Sequence, residues 1–205
     1  MIRFLIQASI LSVIGYVLVT SAWLREGADD TLPEAAAVAG LMVPLGEPRI
    51  VATISRGVVE LYDGETLVKR YPAGFGRARV PGMLGVGRDS TPLGDYVITR
   101  VAVHEEILAR GSRWMEIDFP SEDDAIRAFD HGLIDRETFD GIIRARRRGE
   151  RPKCPPEIGG PFGIQGNFFP VSTSHCTDGS IALSNADVIE LWRHAPIGTA
   201  VSIVP

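Results

Sequence analysis

The segment FGIQGNFFPVSTSHCTDGSIALSN, residues 162–185, has the glycines, short polar residues and β-branched flanks of a loop-built reaction site. Its most prominent chemical positions are Gln165 and Ser180. A serine hydroxyl becomes a nucleophile only with a base to take its proton. A glutamine amide cannot act as that base near neutral pH. General-base assistance is typically worth about 10²–10⁴ in rate, so this pair alone can hydrogen-bond a ligand but is a poor reagent. His175, five residues before Ser180, is the candidate for a relocated base, with Asp178 able to orient it, and Cys176 is a candidate displaced nucleophile. The plainer reading is that His175 and Thr177 make local turn hydrogen bonds, as turn acids such as Asp178 also commonly do.

The elements that must position these residues are mostly strands. RIVATIS (49–55), GVVELYD (57–63), ETLVKRYPAGFG (65–76), GDYVITRVAV (94–103) and RWMEIDF (113–119) carry β patterns. Asp63-Gly64 supplies a two-residue hairpin turn between the second and third. A helical pair then interrupts the β pattern over about 121–149: SEDDAIRAFDHGLI opens on Ser121 as N-cap, DRETFDGIIRARRRG on Asp135, and His131-Gly132 lies at their junction. NADVIELWRHA (185–195) has helical period and GTAVSIVP (198–205) reads as a closing strand. Gly74-Phe75-Gly76 and Gly82-x-x-Gly85-x-Gly87 lack a dinucleotide loop's strand-to-helix setting and read as β turns.

The N-terminus bounds the compartment. Phe4 to Leu24 contains no charged residue, and as a helix the run is just long enough to cross a hydrocarbon core of about 30 Å. Arg3 precedes it and Arg25, Glu26, Asp29 and Asp30 follow, which places the N-terminus inside and the body outside. A cleaved signal peptide ending near Thr20-Ser21-Ala22 is the rival, and it too exports the body. The expected organisation is a transmembrane anchor over 1–24, a linker over 25–46 with a short helical turn near Glu34–Ala39, and one domain over 47–205. This gives a single-pass protein of the inner (cytoplasmic) membrane with its C-terminal domain on the periplasmic or outer side.

A length of 205 residues, 45% hydrophobic and 23% charged, suits one globular domain with an appendage. The net charge of -5 gives no reason to expect nucleic acid. Cys154 and Cys176 could form one bridge in an oxidising compartment or remain separate thiols. Between Arg144 and Lys153 stand six basic residues opposed only by Glu150, read first as a solvated helix end and alternatively as a surface for anionic lipid, wall polymer or an acidic partner. His104, His131 and His194 have no ligand-like spacing, so neither a metal nor a cofactor is expected.

Over most of residues 48–204 the sequence resembles the L,D-transpeptidase catalytic domain, the YkuD-like family. DSTPLGDYVIT (89–99) is similar to its Asp-x-Thr-Pro-x-Gly-x-Tyr turn, and residues 113–149 to the strand and helical insert of one branch. FGIQGN is similar to its Ile-His-Gly segment, TDGSIALSNADVIELW to its Gly-Cys-Ile-Ala-Leu-x-Asn site loop and helix, and APIGTAVSI to its last strand. The resemblance implies a mainly β sandwich or open barrel with the helical pair inserted. It also implies a mechanism in which a cysteine attacks a peptidoglycan stem peptide with a histidine as base. Here the cysteine position is Ser180 and the histidine position is Gln165, whereas Gly166, Gly179, Ile181, Leu183 and Asn185 match the family. Ala182 stands where many members have arginine, although one branch also has alanine there, and Cys176 takes the place of an aromatic. The resemblance thus implies a substrate cradle at Gly166, Asn167, Gly179 and Ile181 with both reagents replaced.

Two functions follow as expectations. One is a non-catalytic, membrane-anchored domain that serves as an accessory or structural subunit of a membrane complex, or that binds peptidoglycan. The alternative is a serine-variant acyl transferase or hydrolase acting on peptidoglycan stem peptides through Ser180.

Overall fold

Valine- and isoleucine-rich runs pair into one eight-stranded sheet in the order β3-β2-β1-β10-β5-β6-β7-β9. In chain order the strands are β1 (Pro48–Thr53), β2 (Val58–Asp63), β3 (Thr66–Pro72), β4 (Phe75–Gly76), β5 (Gly94–Val103), β6 (Arg113–Ile117), β7 (Gly163–Asn167), β8 (His175–Thr177), β9 (Ile181–Ser184) and β10 (Ala200–Val204). The structure, a computed structural model, describes residues 31–76, 87, 89–103, 113–167 and 175–205, with His175 and Cys176 described by their backbone alone.

The hairpin predicted at Asp63-Gly64 joins β2 to β3, and Gly64 takes φ +56, a conformation that a side chain disfavours. The last strand closes the domain against the first: β10 runs parallel to β1, from Arg49↔Ala200 to Thr53↔Val204. Beyond β3, Gly74 exchanges two backbone hydrogen bonds of 2.8 Å with Ala182 in β9. The two ends of the sheet thereby meet, and the architecture is a nearly closed, barrel-like sheet. Phe75–Gly76, expected as a turn, instead forms β4 and pairs with β8. Glycines 82 and 85 lie outside the described residues. Buried Ile50, Leu61, Ile98, Met115, Ile164 and Leu183 are among the residues of the common core.

Among the described residues four helices decorate the sheet: α1 (Leu32–Val38), α2 (Glu122–Asp130), α3 (Arg136–Arg147) and α4 (Asn185–His194). The predicted caps hold. The Ser121 hydroxyl accepts from the Asp124 N–H at 3.1 Å, and the Asp135 carboxylate from the Thr138 N–H at 2.8 Å. The basic run after α3 is partly used internally. Arg146 donates to Asp118 and to the Pro120 carbonyl, and Arg151 reaches the buried Glu116. Arg144, Arg147, Arg148 and Lys153 remain exposed.

The linker expectation needs correction over residues 31–46. Leu32 and Ala36 of α1 are buried, and the Leu32 N–H donates to Glu190 of α4 at 2.7 Å, so this segment packs on the domain. The signal for α1 is Thr31-x-x-Glu34: the Glu34 carboxylate accepts from the Thr31 N–H at 2.7 Å and from its hydroxyl at 2.8 Å. Among the described residues no helix is long and apolar enough to cross a membrane, and the 4–24 run lies outside them.

Candidate functional site

The described residues of 162–185, a segment expected as a loop-built site, include the three short strands β7, β8 and β9. Strand β7 is low in β-forming residues, Gly-Ile-Gln-Gly-Asn, and is held by its neighbours: Gln165 pairs with Trp114 of β6 on one side and, in parallel register, with Ala182 of β9 on the other. Gly163 is obligatory at the first step, because a Cβ there would lie 3.0 Å from the Met115 carbonyl carbon and 3.1 Å from the Glu116 Cα. Ser180 directly precedes β9, two residues before Ala182. Two strand steps plus one interstrand spacing put Gln165 and Ser180 roughly 8 Å apart at Cα. The fold therefore brings both positions to neighbouring strands, each half-buried and open to solvent at one side.

The turn carrying Ser180 is fixed from within. The Gly179 N–H donates to the Thr177 hydroxyl at 3.3 Å, and that hydroxyl donates in turn to the Ser180 carbonyl. Thr177 itself is buried. Gly179 has φ +109, and a Cβ on it would run into the Phe162 ring and would lie 2.8 Å from the Ser90 carbonyl oxygen. Below it, a Cβ on Gly76 would meet the Gly179 Cα and the backbone of Asp89 and Thr91, and the Gly76 N–H donates to Thr91 at 2.7 Å. Thr177 makes the local turn hydrogen bonds expected of it, whereas the part that Gly76 and the Ser90-Thr91 turn play in the site was not foreseen. The signal available for the last was the Thr-Pro turn at 91–92.

What the turn can do chemically follows from these bonds. The Gly179 amide is already engaged by Thr177, so it is not a free donor for a developing oxyanion. Among the described residues no carboxylate or imidazole is hydrogen-bonded to the Ser180 hydroxyl, and no hydrogen bond joins it to Gln165. His175 contributes its backbone to β8, opposite Phe75, while its side chain and that of Cys176 lie outside the described residues. Of the expected cradle, Asn167 is half-buried on β7, as is Gln165 beside it, whereas Gly166, Gly179 and Ile181 are buried. The Ile181 side chain belongs to the core, so it can offer a ligand its backbone only.

The neighbouring thiol is unlinked: Cys154 is free, and its Sγ lies 3.6 Å from the Phe119 carbonyl oxygen. Burial pushes this thiol above its ordinary pKa. Phe119 stacks on Phe162 with ring centroids 4.7 Å apart, and Phe162 is the ring against which Gly179 rests. The helical insert is anchored beside this stack. Asp124, buried, accepts from Tyr96 at 2.9 Å and from Arg127, which also donates to the Leu93 carbonyl at 2.6 Å.

This nearly closed sheet with a glycine-built turn at 177–180 agrees with the family comparison. Residues 47–203 match the YkuD family, described as the L,D-transpeptidase catalytic domain. The chain belongs to that family. Similar solved structures include the L,D-transpeptidase of Xylanimonas cellulosilytica, with 16% identity, TM-score 0.45 and coverage of 78% of this chain and 61% of that one. Bd1075 of Bdellovibrio bacteriovorus follows at 14% identity and TM-score 0.49, covering 78% and 48%. The helical cell shape determining protein Pgp2 of Campylobacter jejuni shows 15% identity and TM-score 0.49, covering 77% and 47%. The chain thus spans about half to three-fifths of the length of these relatives. None of the curated proteins matches it in sequence.

Proposed function

We propose that this chain is a catalytically silent, membrane-anchored member of its family, with the domain on the outer side of the cytoplasmic membrane. There it holds peptidoglycan stem peptides without cutting them, as an accessory subunit of a membrane assembly. The observation that carries the reading is the occurrence of Ser180 and Gln165 at the two positions where the family resemblance expects the reagents, with no base bonded to the serine among the described residues. A serine needs a base more than a thiol does, because a thiol with pKa about 8.5 ionises far more readily. Gln165, Asn167 and Ser180 still present amide and hydroxyl groups at a half-buried surface, and such groups can hydrogen-bond an extended peptide.

The test uses the full chain in detergent. Intact mass spectrometry after exposure to a carbonyl-reactive acylating probe should show no adduct at Ser180. Sedimentation with purified cell-wall sacculi should carry the protein down, and their muropeptides should remain unchanged. A Ser180 adduct that disappears in Ser180→Ala would overturn the reading in favour of a serine acyl transferase or hydrolase. Failure to bind sacculi, together with crosslinking that finds only monomer, would remove the binding role.

A further inference from the structure

The stretch AAAVAGLMVPLG, residues 35–46, has no charged residue, and the structure divides its apolar side chains into two sets. Ala36 is buried with Leu32, whereas Val38 is 86% exposed, Met42 84% and Val43 39%. The exposed set is held outward by a defined helix end. Gly40 takes φ +73, its N–H bonds to the Ala37 carbonyl at 3.1 Å, and the Leu41 N–H bonds to the Ala36 carbonyl at 2.8 Å. These are the two bonds of a Schellman cap, with glycine at the left-handed position. Aliphatic side chains fixed in water in this way mark a contact surface.

Chain length says where that surface lies. Glu190 accepts the Leu32 N–H and also binds Lys69 at 2.7 Å, so the start of α1 is pinned to α4 and β3. Seven residue steps separate Leu24, the end of the charge-free run, from Thr31. Fully extended they reach about 25 Å, and relaxed roughly 15 Å. A domain of this size is about 40 Å across. With the 4–24 run in a bilayer, α1 therefore sits on the bilayer-facing side.

We propose that the Val38–Val43 tip enters the boundary between lipid headgroups and acyl chains beside the chain's own anchor. The domain is then attached at two points, and the outlook of the Ser180 turn relative to the membrane is fixed. A lipid interface suits this tip better than a protein groove does. It rewards a few protruding aliphatic side chains without demanding shape complementarity or matched hydrogen bonds. The inference rests on the anchored reading of the N-terminus.

The test is depth measurement on the full chain in liposomes of phosphatidylcholine and phosphatidylglycerol. In a Cys154→Ala, Cys176→Ala background, Met42→Cys carries a polarity-sensitive fluorophore. Val103→Cys, exposed on β5 four strands from β3, serves as the comparison. Nitroxide-labelled acyl chains should quench the probe at 42 at least twofold more than that at 103. Hydrogen exchange of the unlabelled protein should slow at 38–43 on moving from detergent to bilayer. If the chain resists alkaline carbonate extraction but the probe at 42 responds only to aqueous iodide and exchange at 38–43 is unchanged, the tip proposal fails and the anchor stands. If carbonate releases the chain, both fail.

Discussion

The turn at 177–180 and the helical insert at 121–149 are held in opposite ways. At the turn the chain depends on missing atoms: Gly76, Gly163 and Gly179 each lie so close to backbone that no Cβ fits. At the insert it depends on paired polar groups: Asp124 with Tyr96, Ser121 and Arg127, and Asp118 with Arg146. The first kind of constraint does not involve the side chains at 165 and 180. The side chains at 165 and 180 can therefore be exchanged with the shape of the turn intact. In the insert each polar group is a partner that another buried group requires, so exchange there is costly.

The largest expected effect that tests this contrast is Gly179→Ala. The substitution forces a side chain into φ +109 and against the Ser90 carbonyl and the Phe162 ring. Backbone strain and overpacking together should cost about 3 kcal/mol or more. For a domain of this size that lowers Tm by roughly 6–12 °C, read by thermal unfolding. Gly149→Ala, at φ +68 but with open space around it, should cost only about 1 kcal/mol. Equal losses in the two variants would mean that packing does not hold the turn.

Next comes Asp124→Ala. It removes the acceptor shared by the Tyr96 hydroxyl, Arg127 and the Ser121 N–H, and leaves the Leu93 carbonyl as the remaining acceptor for the hydroxyl and the guanidinium. Denaturant unfolding should register a loss of about 2–3 kcal/mol. Ser180→Ala in the same assay should stay within about 0.5 kcal/mol, since no side-chain bond of the described structure uses its hydroxyl. A Ser180→Ala loss as large as that of Asp124→Ala would make the hydroxyl structural and break the comparison.

The same contrast separates what the sequence discloses from what it conceals. Hairpins and caps are local, so Asp63-Gly64, Ser121 and Asp135 could be placed from residue types alone. Strands β7, β8 and β9 could not: their residues are poor strand formers, and their pairing comes from β6, β4 and each other across long chain separations. Helix α1 was legible only in part, as a short helical turn near Glu34–Ala39, and its packing on the domain was not. Its seven residues carry too short a hydrophobic pattern, and only the Thr31–Glu34 box announces it. The assignment of Gln165 and Ser180 to reagent positions rests on the family resemblance alone. That Thr177 bonds within its turn was legible too, but its partners, the Gly179 N–H and the Ser180 carbonyl, are defined only once the turn has formed.

The smallest expected effect concerns Cys154, which lies against the Phe119 carbonyl among the groups that anchor the insert. Burial raises its pKa, the principal cause, and Glu116 and Asp124 add to the rise while Arg151 and Arg146 oppose it. The folded chain therefore holds the thiol proton more tightly than the unfolded chain, whose cysteine titrates near pH 8.5. The stabilisation is complete below that pH and is lost progressively as pH rises through and beyond it. Between pH 8 and 10 the Tm of the parent should fall slightly further than that of Cys154→Ala. Titration of tyrosines and lysines is common to both proteins and cancels in the difference. Alkylation sharpens the test: in a Cys176→Ala background at pH 7.5, iodoacetamide should modify Cys154 more slowly than a free thiol. Faster alkylation would show the arginines, rather than burial, in control of the thiol. The insert's charges would then govern groups beyond their own pairs.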